Sequence, residues 1–106
     1  MIYEMRTYTL HPGCTARWLE LYQTSALPIM RKIDGMGLVG YFKAETGTLN
    51  RVIHIWCYPD VAARERALAE LGANAEWIEG FVKPAQSCLA SQETTLLKPV
   101  AFSPLQ

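Results

Sequence analysis

A chain of 106 residues has the length of one domain and can bury enough surface for a single core. Half of its residues are hydrophobic and 19% are charged, which excludes a disordered chain. Ten basic residues balance ten acidic ones without a basic block, which argues against nucleic acid or an anionic membrane as the main partner.

Ile2 to Leu10, rich in Tyr and Thr and closed by His11-Pro12-Gly13, predicts a first strand. A helix follows with Thr15 as N-cap, carrying Cys14, Trp18, Leu21, Tyr22 and Ser25 on one side. Pro28 should kink or restart this helix, which runs to about Ile33 before Asp34-Gly35-Met36-Gly37 breaks it. Residues 38–45 and Arg51 to Tyr58 predict a hairpin across the turn-like residues 46–50. Asp60 is a good N-cap for a second helix that carries Val61, Leu68 and Leu71. After a break at residues 72–74, Trp77, Ile78, Phe81, Val82 and Ala85 form a further amphipathic stripe, read as core. Leu89 to Leu97 predicts the fourth strand.

The order strand, helix, strand, strand, helix pair, strand is that of a ferredoxin-like β-α-β-β-α-β domain of α+β class. Its antiparallel sheet has four strands, with the first and third in the centre and the helices on one face. The division is a core over residues 1–97 and an extended tail over 98–106. The prolines in the tail favour an extended path, and Val100, Phe102 and Leu105 predict that it packs against the folded domain or a partner.

Alternation assigns side chains to faces. On the third strand the compact set Ile53, Ile55 and Cys57 is expected under the helices, and Val52, His54, Trp56 and Tyr58 on the open face. On the first strand Tyr3 and Met5 are expected inside, leaving Ile2, Glu4, Arg6 and Tyr8 outside. Tyr41 and Glu93 fit either face. An open face with so much aromatic surface needs a partner, and a second copy of the chain is the expected one.

The opening Met-Ile-Tyr-Glu-Met-Arg-Thr-Tyr-Thr-Leu with Pro12-Gly13 resembles the start of NIPSNAP-family domains. Residues 38–42, His54-Ile55-Trp56, residues 62–66, Ser91-Gln92-Glu93 and the run from Leu97-Lys98-Pro99 to Phe102-Ser103-Pro104 resemble the family in the same order. The resemblance implies a dimeric α/β barrel in which two sheets enclose a cavity. Related barrels include cofactor-free oxygenases, isomerases, haem-degrading enzymes and domains without known catalysis, so the resemblance leaves the chemistry open.

The candidate catalytic residues are His54, Glu4 and Arg6; Tyr8, Trp56, Tyr58 and Tyr41 are candidates for shaping a ligand pocket. Glu4 and Arg6 project from one face about 7 Å apart, either as base and cationic anchor or as a structural ion pair. His54 titrates nearest neutral pH and suits a small aromatic or keto acid, or else a hydrogen bond inside the core. Its use as a haem ligand ranks well behind both. His11, in the Pro-Gly turn, reads as solvated. Two distant histidines give no metal-ligand spacing, and no cofactor motif is present. Cys57 leaves the opposite face from His54, which argues against a nucleophilic dyad. Arg64, Glu65, Arg66 and Glu70 read as a solvated helix face.

Cys14, Cys57 and Cys88 are odd in number and widely spaced, so no disulfide framework is expected and a reducing compartment is. With no signal-like start and no apolar run near the roughly 20 residues of a membrane span, the expectation is a soluble cytoplasmic protein. Two functions fit: a homodimer that binds a small organic ligand between its sheets, with oxygenase- or isomerase-type chemistry free of cofactor, or a non-catalytic interaction module.

Overall fold

Two runs rich in β-branched and aromatic residues, β1 (Ile2–Leu10) and β3 (Arg51–Tyr58), pair antiparallel at the centre of a four-stranded sheet. A computed structural model of the chain covers residues 1–106. With β2 (Gly37–Lys43) and β4 (Leu89–Leu97) at the edges, the order is β2-β3-β1-β4, the ferredoxin-like arrangement. The register sets Glu4 opposite Trp56 and Arg6 opposite His54. β2 stops at Lys43, short of Glu45, and the hairpin turns through Gly47 and Asn50, both at positive φ.

Each crossover is helical and each is interrupted ahead of a proline. The first contains α1 (Thr15–Leu21), a wide π turn over Tyr22–Ala26 and α2 (Leu27–Met30), in which Pro28 stands at the start. The second contains α3 (Val61–Gly72), α4 (Ala75–Trp77), a second π turn over Ile78–Val82, α5 (Lys83–Ala85) with Pro84, and a short 3-10 turn over Gln86–Cys88. A proline ring clashes with the carbonyl four residues before it, which here belongs to Thr24 or Gly80. Both lie inside the π turns, whose wider winding relieves that clash without ending the helix. Cys14 rather than Thr15 occupies the N-cap of α1, without a side-chain cap bond. Asp60 caps α3 as expected, its Oδ1 accepting the Ala63 N–H at 2.8 Å. α3 buries Ala63, Ala67 and Leu71, whereas Val61 is exposed.

The expected faces are reversed. Val52, His54, Trp56 and Tyr58 are buried beneath the helices, with Glu4 and Arg6 beside them. They meet Trp18, Tyr22, Met30, Leu71 and Phe81 in a continuous core. The half-buried Met5, Ile53, Ile55 and Cys57 line the open face, together with Tyr3. The reason is size and charge pairing. Sheet and helices lie about 10 Å apart, and aromatic side chains span that gap better than isoleucine. Polar residues reach such a core only when their charges are answered by neighbours, and here they are.

The tail returns towards the open side of the sheet. The Tyr3 hydroxyl donates to the Gln106 carbonyl at 3.1 Å, and Gln106 Nε2 donates to the carbonyls of Val100 and Ser103. Its apolar side chains do not pack on their own domain: Phe102 is 89% exposed, and Val100 and Leu105 are also exposed. No helix is long and apolar enough to cross a membrane.

Candidate functional site

Glu4 lies at the centre of a buried charge cluster. Its Oε1 accepts from Arg6 Nε at 2.7 Å and from the Tyr58 hydroxyl at 3.0 Å, while Oε2 accepts from Arg64 Nε at 2.7 Å. Burial acts to raise the carboxyl pKa, but Arg6 and Arg64 outweigh it and hold it below its ordinary value. A carboxylate whose two oxygens are both engaged by guanidinium groups is poorly placed to take a proton from substrate. Arg64 is thus not a member of a solvated helix face. It reaches from the first turn of α3 into the core, and its side chain is only 21% exposed. Burial, helped by Glu4 and opposed by the charges of Arg6 and Arg64, raises the Tyr58 phenol pKa well above its ordinary value.

His54 occupies the neighbouring position on β3 and is completely buried. Its Nδ1 accepts the indole N–H of Trp56 at 2.8 Å, so the neutral ring carries its proton on Nε2. Nε2 has no hydrogen-bond partner. Burial, assisted by the charge of Arg6, pushes the pKa of His54 down to about 3, so the imidazole is neutral at physiological pH. Three tyrosines enclose it: Tyr41 stacks on it with centroids 4.4 Å apart, while Tyr8 and Tyr22 present edges at 4.9 and 5.6 Å. The Trp18 indole donates to the Tyr41 hydroxyl at 2.9 Å and fixes that ring. Tyr41 owes its place to a bulge in β2, between Leu38 and Gly40, which moves it opposite His54.

The structure therefore gathers all seven sequence candidates on one face, but on the face beneath the helices. Two clefts approach the group. One, of about 350 Å³, opens between the β1–β4 side of the sheet and the second helical crossover; Tyr8, Trp18, Trp77, Phe81 and Leu89 wall it, with Gln86 and Gln92. The other, of about 330 Å³, lies against Tyr22 and Tyr41 and is bordered by Gln23 and Arg31. Trp18, Tyr22, Phe81 and Arg64 were not among the candidates. The helical stripe did carry the three aromatics; nothing in the sequence separates Arg64 from its charged neighbours. No group of three or more His, Cys, Asp or Glu side chains gathers as a metal site.

Similarity to known proteins follows the same outline. The NIPSNAP family description matches residues 3–104. The chain belongs to the NIPSNAP family. It is 34% identical over 95 residues to mouse Protein NipSnap homolog 3B, an alignment that covers 89% of this chain and 37% of the mouse protein. With human Protein NipSnap homolog 2 the identity is 32%, over 99% of this chain and 35% of the relative. The chain thus spans little more than a third of the length of these NIPSNAP relatives. A NIPSNAP-like domain protein from Burkholderia xenovorans superposes with a TM-score of 0.89 at 36% identity, covering 97% of this chain and 88% of that one. Protein Atu4242 from Agrobacterium tumefaciens gives 0.93 at 32% identity, with both chains fully covered. SnoaB, a cofactor-independent oxygenase from Streptomyces nogalater, shares the fold at a TM-score of 0.68 and 18% identity over 97% of this chain and 96% of its own.

Proposed function

We propose that this NIPSNAP domain binds a flat aromatic ligand between its sheet and its helices, and that two copies pair through their open sheet faces. One observation carries the ligand reading: a fully buried, neutral histidine whose Nε2–H has no acceptor. An unpaired buried donor costs stability, commonly about 1–3 kcal/mol, and a bound oxygen atom would offset that cost. Tyr8 stands between the larger cleft and the imidazole: it lines the cleft and packs edge-on against His54. On this reading the Tyr8 ring turns aside on binding and a carbonyl or carboxylate oxygen of the ligand accepts from Nε2–H. Tyr8, Trp18 and Phe81 then pack against its ring.

This places the ligand beneath the helices and not between the sheets of a pair. It also changes the role of His54. With Nδ1 occupied and Nε2 protonated, the imidazole donates and does not abstract. In a dry aromatic pocket such a donor stabilises an enolate or other oxyanion, the species common to isomerase and cofactor-independent oxygenase chemistry. The fold shared with SnoaB is in keeping with that chemistry. Glu4, Arg6 and Arg64 act as a rigid base beneath the pocket. The alternative, a non-catalytic interaction module, draws on the exposed Phe42 and Phe102, which the pairing of two copies also explains.

A thermal-shift series with salicylate, phenylpyruvate and 2-hydroxy-1,4-naphthoquinone tests the reading. At least one should raise the melting temperature of the parent and leave a folded His54→Phe variant unmoved. Equal shifts in both proteins, or none in the parent, would favour the interaction module.

A further inference from the structure

Two of the three cysteines, far apart in sequence, are brought together beside segments that carry the cleft-wall residues Trp18 and Leu89. Cys14 is half-buried at the N-cap of α1, and Cys88 is buried at the end of the 3-10 turn that leads into β4. Both backbones are tied to one residue: the His11 N–H donates to the Cys88 carbonyl at 2.9 Å, and the Cys14 N–H donates to the His11 carbonyl at 3.1 Å. Cys88 belongs to the core and Cys14 packs against the same core, and Cys14 is near enough to raise the Cys88 thiol pKa while Arg17 acts to lower it. Cys57 lies apart, facing the open side of the sheet opposite Tyr3.

We propose that Cys14 and Cys88 are a reversible dithiol–disulfide pair, oxidised by peroxide, that clamps α1 to the start of β4. The half-buried Cys14 is the entry point. Its thiolate attacks a peroxide oxygen and breaks the O–O bond. This gives a sulfenic acid at Cys14, and the departing oxygen takes up protons and leaves as water. The Cys88 sulfur then attacks the sulfenic sulfur and displaces the hydroxyl, which leaves as a second water with the Cys88 proton. Two thiols and one peroxide thus become one disulfide and two waters. Arg17 favours the thiolate form of Cys88, which the second step uses. The neighbouring Cys14 thiol, and then burial, raise the Cys88 pKa, which suits Cys88 to the second, resolving step rather than the first.

The clamp bears on the cleft. The Cys14 carbonyl accepts the Trp18 N–H at 2.9 Å, and Leu89 directly follows Cys88, so both linked segments carry a wall residue. Closing a covalent loop between them restricts the unfolded chain and opposes separation of α1 from β4.

The test uses the intact chain. It is treated in its native state with one equivalent of hydrogen peroxide, then denatured and alkylated with N-ethylmaleimide. Intact mass and non-reducing peptide mapping provide the readout. The pair predicts a loss of about 2 Da before alkylation, alkylation of Cys57 alone, and a peptide joining Cys14 to Cys88 that dithiothreitol cleaves. The oxidised protein should melt several degrees higher. Cys14→Ser and Cys88→Ala should each abolish the linked peptide and the rise in melting temperature; Cys57→Ser should leave both intact. Alkylation of all three cysteines, further oxidation of Cys14 with Cys88 still free, or links only through Cys57 would overturn the proposal. None of these results depends on a ligand being bound.

Discussion

Tyr41 lies flat against His54, with ring centroids 4.4 Å apart and planes 14° from parallel, because β2 has one extra residue at Val39. In an unbroken ladder Gly40 would face His54 and Tyr41 would point to the open side of the sheet. Deleting Val39 would close the bulge yet keep Tyr41 opposite His54, so the ring itself is the probe. Tyr41→Ala should cost about 3 kcal/mol or more, typical of a lost core aromatic, with a loss of near-ultraviolet circular dichroism. A Tyr41→Ala variant of parental stability and spectrum would mean that the ring does not pack on His54.

Acid should weaken the fold well before the carboxylates titrate. His54 has a folded pKa of about 3 against 6.5 when exposed, so the unfolded chain binds its proton first as pH falls. Its contribution is full above pH 6.5 and is lost as pH drops from there towards 3. By pH 5 the loss should approach about 2 kcal/mol. Glu4 acts with the same sign at lower pH, because its depressed pKa contributes stability above the ordinary carboxyl value of 4.5 and loses it below. The groups facing His54 are Arg6 and Tyr8 from β1, Tyr22 from the first π turn, Tyr41 from β2 and Trp56 beside it. Denaturant unfolding at pH 7, 6 and 5 should show the decline in the parent and a much flatter profile in His54→Phe.

The charge cluster should respond unequally to loss of its members. Glu4→Gln leaves two guanidinium groups, that of Arg6 largely buried, around a neutral amide, and should cost about 3–5 kcal/mol. Arg64→Met removes the more accessible partner while Arg6 and Tyr58 still hold Glu4, and should cost about 1–2 kcal/mol. Urea unfolding of both variants checks the order. Equal costs would place the weight of the cluster elsewhere.

Pairing of the open faces should be visible by mass. Met5, Ile53 and Ile55 form a half-buried apolar strip beside the exposed Phe42, and the tail offers Phe102 at 89% exposure. Covering that surface at about 25 cal/mol per Å² strongly favours association. Light scattering at low micromolar concentration should give twice 11.9 kDa. Truncation after Pro99 should weaken the pair while leaving the secondary structure intact. A stable, well-folded monomer would contradict the pairing.

Strand order and the limits of β1, β3 and β4 were legible because alternation, turn residues and the crossover rule act locally or through topology alone. The grouping of Glu4, Arg6, Tyr8, His54, Trp56 and Tyr58 on one face was legible for the same reason. The side that face would take was not. Alternation is symmetric, and the compact aliphatic set Ile53, Ile55 and Cys57 pointed to the wrong side; Glu4 and Arg6 enter the core because Arg64 arrives from α3 to share Glu4 with Arg6. Tyr41 was ambiguous because the bulge at Val39 leaves no mark in the residue pattern. The meeting of Cys14 with Cys88 depends on the β1–β4 pairing and is invisible in their spacing.

The free Nε2–H of His54 is the group on which ligand binding turns, and long-range 1H–15N correlation of the imidazole reads it directly. In the unliganded protein the ring should be the neutral Nε2–H tautomer from pH 7 down to about pH 4. Titration with whichever of the three aromatic probes raises the melting temperature should shift the Nε2–H proton downfield, as a new acceptor engages it, while Nδ1 stays bonded to Trp56. An imidazole that protonates near pH 6.5, or an Nε2–H unmoved at saturating probe, would contradict the claim that His54 is the ligand's hydrogen-bond donor.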